Sequence, residues 1–152
     1  MQVSTLKLFL LAAGFLNLTG ASGNDIAGMV KTLKGTAQIE RSGKIIPASV
    51  GSEIQAKDRI RTDAESSIGI TLQDNTLLSA GSSAILDLNE YHFNTTTHDG
   101  KLDASLKRGS LAVISGKMAK ANPKAVRFNM GTVTLGVRGT EFIIETGDSQ
   151  ED

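Results

Sequence analysis

Ser67-Ile68-Gly69-Ile70-Thr71-Leu72-Gln73-Asp74-Asn75-Thr76-Leu77-Leu78-Ser79 decides the fold class of this 152-residue chain. Ile68, Ile70 and Leu72 alternate with smaller or polar residues, the period of two that places side chains on opposite faces of a strand. Asp74-Asn75 closes the run with turn chemistry, because Asn tolerates the left-handed backbone region. Thr76 to Ser79 then returns as the partner strand of a hairpin.

The same grammar extends in both directions. Upstream, Met29 to Leu33 is one short apolar run, and Thr36 to Arg41 is another that ends at the hairpin-like break Ser42-Gly43-Lys44. Ser52 to Thr62 places Ile54 and Ile60 on one face and its charges on the other. Downstream, Ala84 to Phe93 puts Leu86, Leu88 and Glu90 on one face and Ile85 on the other, before the polar loop Asn94 to Gly100. Lys101–Leu106 and Ser110–Ser115 are expected to form a strand pair around Arg108-Gly109. Lys117 to Lys124 could start a helical turn, but Asn122-Pro123 reads better as a loop, since the residue before Pro is pushed out of the helical region. Val126–Met130, Val133–Leu135 and Thr140–Glu145 complete the set. Roughly ten to twelve short strands at regular spacing predict an all-β single domain. A barrel also fits this pattern, but the expected form is rolled β-solenoid-like or sandwich-like.

The start of the chain follows different rules. Lys7 precedes the apolar stretch Leu8 to Leu18, and the small residues Gly20 to Gly23 follow, with Asn24 and Asp25 opening polar sequence. That order predicts a signal peptide over residues 1–23, cut before Asn24. A membrane span needs about 20 apolar residues, so an uncleaved anchor is the weaker reading of so short a core. The expected organisation is a linker at 24–28, the β domain at 29–146 and a disordered acidic tail at 147–152, in a periplasmic or secreted protein that meets the membrane only during export. Cys is absent, which excludes a lipoprotein anchor, a disulfide framework and thiolate chemistry. The whole chain balances 16 basic against 16 acidic residues, and loss of Lys7 with the leader would leave 15 against 16. Near-neutral charge gives no general case for a nucleic-acid partner.

The order of short phrases resembles the FecR domain family. Gly35-Thr-Ala-Gln-Ile39, Val50-Gly51-Ser52-Glu53-Ile54 with Lys57-Asp58-Arg59-Ile60-Arg61-Thr62, and the Asp74 hairpin carry part of the resemblance. Leu106-Lys-Arg-Gly109-Ser-Leu111 and Leu135-Gly136-Val-Arg138-Gly139-Thr140-Glu-Phe142 carry the rest. Asn75 stands where the family usually has Gly, which keeps the turn possible. The best-known members relay an outer-membrane signal to a cytoplasmic sigma factor, and have a sigma-binding segment and a spanning helix besides the FecR region. The resemblance therefore implies a β-rich interaction module more firmly than sigma-factor regulation.

Candidate chemistry is sparse. Arg138 in the Gly136-Val-Arg138-Gly139-Thr140 motif could offer its guanidinium to an anion, but no phosphate-loop spacing accompanies it. The preferred reading is that the glycines bend the chain while Arg138 clamps the turn through backbone carbonyls or an internal acid. Asp58 is the acid expected to pair with Arg138. Asp58, Asp63, Glu65 and Asp74 otherwise read as turn and solvent-face residues. His92 and His98, with Asp99, match no metal-ligand spacing, and there is no G-x-S-x-G or S-x-x-K segment. No cofactor and no enzymatic activity are expected. From Lys101 to Thr140 there are eight basic residues and one acid, Asp103. This is either a solvated face or a surface for lipid phosphates, an acidic glycan or an acidic partner, with Arg108 and Lys117 the candidate binding residues. The expected function is a non-catalytic envelope module that binds a protein partner or signals. Alternatives are a peptidoglycan- or glycan-binding accessory, for which Tyr91 and Phe93 are the clustered aromatics, and a small self-assembling structural protein.

Overall fold

The computed structural model describes residues 26–137 and 139–147. The expected signal peptide, residues 24–25 of the linker, Arg138 and the tail from 148 onwards lie outside the described residues. Within them, one sheet of six strands runs in the order β13 (Glu141–Glu145), β10 (Ser110–Ile114), β7 (Leu77–Ala80), β6 (Ser67–Leu72), β1 (Ile26–Lys34), β4 (Glu53–Gln55). The second, of seven, runs β12 (Val133–Gly136), β11 (Val126–Met130), β9 (Gly100–Arg108), β8 (Ile85–Phe93), β5 (Arg59–Thr62), β2 (Ala37–Arg41), β3 (Lys44–Pro47). All pairings are antiparallel except that of β9 with β11.

The alternation at 67–79 appears in the structure as read. Ile68, Ile70, Leu72 and Leu78 are buried, β6 pairs with β7 from Ile68↔Ala80 to Thr71↔Leu77, and Asn75 takes φ +66° in the turn. Aliphatic side chains from both sheets, among them Val30, Ile39, Ile60, Leu86, Leu102 and Leu111, form one core with Phe128. The hydrophobic effect drives that layering, since each sheet has an apolar face that only the other can cover.

Both expected forms, sandwich-like and rolled, meet in one architecture. The chain steps repeatedly between sheets: β1 lies in one, β2 and β3 in the other, β4 back in the first, β5 in the second. The corners stack on one another along one side. Asp63 N–H donates to Thr36 O (3.0 Å), Ser83 N–H to Asp63 O (3.0 Å), and the Thr62 hydroxyl donates to Gly81 O (2.6 Å) while accepting from Ala84 N–H (2.8 Å). These bonds satisfy backbone groups that a sheet ladder cannot reach.

Four sequence expectations change. Ile54 and Ile60 both enter the core, but from β4 and β5 in opposite sheets, because the chain turns at Lys57 with φ +71°. Lys101–Leu106 and Ser110–Ser115 are not a hairpin pair. Gly109, at φ +87° and packed on Ala84, is the corner where the chain leaves β9 in one sheet for β10 in the other. A register shift in β8 between Leu88 and Glu90 turns Tyr91 inward in place of Glu90. Lys117–Ala121 forms the helical turn that was the weaker of the two readings there, α1, and a 3-10 turn at Pro123–Ala125 follows in place of the favoured loop.

Candidate interaction site

The β6–β7 turn is the anchor from which the site is built. Asp74 is fully buried, and no cation faces it among the described residues. Hydrogen bonds take the place of a counter-ion. Its carboxylate accepts from the Tyr91 hydroxyl (3.1 Å), the Thr76 hydroxyl (2.7 Å), Thr76 N–H (3.3 Å) and Met118 N–H (3.2 Å). Lys117 N–H donates to Asp74 O at 2.7 Å. Burial, and secondly the Asp74 charge, push the Tyr91 phenol above its usual range. Asp74 is thus an internal staple rather than the solvent-face residue expected from sequence.

Through this staple the turn positions α1. Gly116 passes so close to Asp74 O and Thr76 N that a Cβ there would collide with backbone. Met118 and Ala119 then face the core while Lys117 and Lys120 face solvent. Asn122 ends α1 by donating its N–H to Met118 O (2.8 Å), and its side chain accepts from Lys124 N–H (3.2 Å) to open the 3-10 turn.

Between these turns and the β12–β13 connection lies an open cleft of about 890 Å³, lined by Ser115, Ala119, Lys120, Asn122, Pro123, Lys124, Gly136, Val137 and Gly139. Ser115 ties the two walls together. Its N–H donates to Thr140 O (2.7 Å) and its hydroxyl to Gly139 O (3.3 Å). Gly139 sits at φ +97°, a conformation that side chains disfavour. Gly136 and Gly139, singled out from sequence, therefore line this cleft, and Thr140 is tied to it through its backbone bond to Ser115. Lys120 and Lys124, which sequence reading passed over, contribute its charge, and neither has an ion-pair partner among the described residues. Their spacing on a loop-like stretch gave no periodic signal, although the basic run contained them.

The other expected residues lie elsewhere. Arg108 and Lys117 lie beyond opposite ends of β10, a strand about 17 Å long at the usual rise, and do not form one patch. Asp58 is buried, and Arg41 holds it with Nε to Oδ1 (2.8 Å) and Nη2 to Oδ2 (2.7 Å), while Gln55 N–H donates to Oδ2 (2.8 Å). The hydrogen bond to Asp58 raises the Arg41 pKa above its usual value. The guanidinium that the structure shows on Asp58 is thus Arg41's, and the expected partner Arg138 lies outside the described residues. Tyr91 is buried and Phe93 stacks on His98 (5.9 Å between centroids), so these aromatics do not form an exposed sugar-stacking platform. His92 Nε2 lies 3.9 Å from Glu90 Oε1, and no group of three potential metal ligands occurs among the described residues.

A second concavity, on the outer face of the seven-stranded sheet, includes Glu40, Arg59, Asp87 and Asn89. Most of its charges are paired, although Lys57, which also lines it, has no ion-pair partner among the described residues. Arg59 binds Asp87 through two bonds of 2.6 and 2.8 Å, and Arg61 Nε lies 3.3 Å from Glu40 Oε1, an ion pair whose geometry falls short of a hydrogen bond.

No helix among the described residues is long and apolar enough to cross a membrane. Comparison with curated proteins gives no match, and comparison with solved structures gives none either. A family model, that of the FecR protein, matches residues 58–151, more than half of the chain, and spans the Asp74 staple and both walls of the cleft. The chain belongs to the FecR protein family.

Proposed function

We propose that this chain is a non-catalytic interaction module of the bacterial cell envelope, and that the cleft between α1 and the β12–β13 connection receives an acidic segment of a protein partner. The observation that carries this reading is the cleft itself. It borders the Gly136–Thr140 phrase, it is anchored on the buried Asp74, and it presents Lys120 and Lys124 without ion-pair partners among the described residues. Two lysines on a rigid support favour carboxylate-rich ligands by charge and steer their approach. FecR-family membership supports a signalling or regulatory setting. Burial of Tyr91 weighs against the glycan-stacking alternative.

The test is co-purification of the tagged protein from cross-linked envelope extract, with wild type beside a Lys120→Glu/Lys124→Glu variant. A partner enriched by wild type and reduced at least tenfold by the variant supports the reading. A partner retained equally by both removes the cleft from the account.

A further inference from the structure

The two sheets present different outer faces to solvent. That of the seven-stranded sheet is crossed by Glu40, Arg59, Asp87, Glu90, Lys101 and Asp103, many of them paired. On the six-stranded sheet, register aligns Met29, Thr71, Leu77, Ile114 and Glu141 in one row, and Gly69, Ser79, Ala112 and Ile143 in the next. Met29, Leu77, Ile114 and Ile143 are exposed, Ile143 at 66%. The outward residues of β6, β7 and β10 in these rows carry no charge. Antiparallel sheets that face water on one side normally carry polar residues there. A flat uncharged strip rimmed by charge marks an association surface.

The rim indicates what covers it. Lys31 and Lys34 lie on β1, with Lys31 Nζ 3.9 Å from Met29 Sδ, Glu141 and Glu145 lie on β13, and the edge strand β4 beyond β1 adds one acid, Glu53, level with Met29. A two-fold axis running along the strands at β7 would set Leu77 against its own counterpart. The same rotation would bring the basic β1 side of each copy over the acidic β13 side of the other. An axis across the strands would instead oppose like charges. The β1 lysines and β13 glutamates are therefore complementary in one orientation, with Glu53 of the edge strand the one acid opposed to that fit. Five strands at about 4.8 Å spacing and five residues of rise give a footprint of roughly 24 by 17 Å, or about 800 Å² over two copies. That is small for a stable dimer and fits a weak one. Edge pairing is a poorer route, since β4 has three residues and β13 carries Glu at both ends.

We propose that the outer face of the six-stranded sheet is a self-association surface, covered face to face by a second copy of this chain. Sedimentation equilibrium of the purified protein from about 1 µM to about 1 mM tests it, a range suited to so small an interface. The expected result is a mass rising from one protomer toward two, with association weakened at least tenfold by Ile143→Lys and by Glu141→Lys/Glu145→Lys. Adding Lys31→Glu/Lys34→Glu to the latter restores it. Ile143→Ser, a milder change at an edge strand, is measured in parallel, and thermal melts verify that each variant is folded. A monomer throughout the range overturns the proposal, and so does a dimer indifferent to Ile143→Lys and Ile143→Ser. Failure of the charge swap to restore association rules out the strand-parallel axis on which the proposal rests. Lys120→Glu/Lys124→Glu, which alters the cleft, leaves the dimer unchanged.

Discussion

The Tyr91 hydroxyl donates to Asp74 Oδ1 at 3.1 Å and accepts the Asp74 N–H at 3.1 Å, so one phenol binds both the side chain and the backbone of one turn residue. This pair joins β8 of the seven-stranded sheet to the β6–β7 turn of the other. Tyr91→Phe leaves a buried carboxylate with one donor fewer. A hydrogen bond to a charged group is worth about 1.5–3 kcal/mol, and denaturant titration should show a loss in that range.

The same pair sets an alkaline limit. The Tyr91 pKa is raised in the folded state, first by burial and then by the Asp74 charge. Stabilisation from the neutral phenol is therefore complete below the unfolded value of about 10, and is lost as pH rises above it toward the folded value. Tyr91 is the chain's one tyrosine and Trp is absent, so phenolate absorbance reports this site alone. Ionisation should coincide with loss of β-sheet circular dichroism. A phenol that titrates near pH 10 in folded protein would contradict the assigned burial.

Asp74→Asn tests the staple without changing its shape. Both carboxylate oxygens accept hydrogen bonds, so an amide NH₂ at either position opposes donors from Thr76, Tyr91 or Met118. The expected cost is about 2–4 kcal/mol, with the melting temperature lowered by roughly 6–15 °C. Wild-type melting would show that these bonds do not bear on stability.

Gly116→Ala should also destabilise, by about 1–3 kcal/mol, because the new methyl meets the backbone of Asp74 and Thr76. The φ of −99° at this position suits any residue, so the effect is steric. Hydrogen exchange should show α1 loosening before the β6–β7 hairpin does.

Arg41→Ala leaves Asp58 buried with only backbone donors. Because Arg41 itself is partly solvated, the loss should be about 2–4 kcal/mol, somewhat below that for a fully buried pair. Arg41→Lys should recover only part of it, since an ammonium cannot reproduce the two-pronged contact. Urea midpoints for the three proteins, ordered wild type, Lys, Ala, check this prediction.

Much of the fold was legible where alternation and turn chemistry coincide, as at Ile68–Leu72 with Asp74-Asn75. Periodicity shows that Ile54 and Ile60 are buried, but it cannot say that a turn at Lys57 sends them into opposite sheets. It also missed the register shift that exchanges Glu90 for Tyr91, because one extra residue inverts the pattern without changing composition. Asp58 and Asp74 look like ordinary turn residues in sequence. Their burial depends on donors 17 and 44 residues away, Arg41 and Met118. The cleft was half legible, its glycine wall in the family phrase and its lysine wall only as part of a basic run.

The most direct measurement places a photo-reactive amino acid at Lys124 in the cleft, and separately at Lys57 beside the outer concavity of the seven-stranded sheet, in cells expressing the protein. Irradiation should give a discrete cross-linked species from position 124 and none from position 57, with the product lost when Lys120 is changed to Glu. A species formed equally from both positions, or only from position 57, would contradict the assignment of the cleft as the partner-binding site.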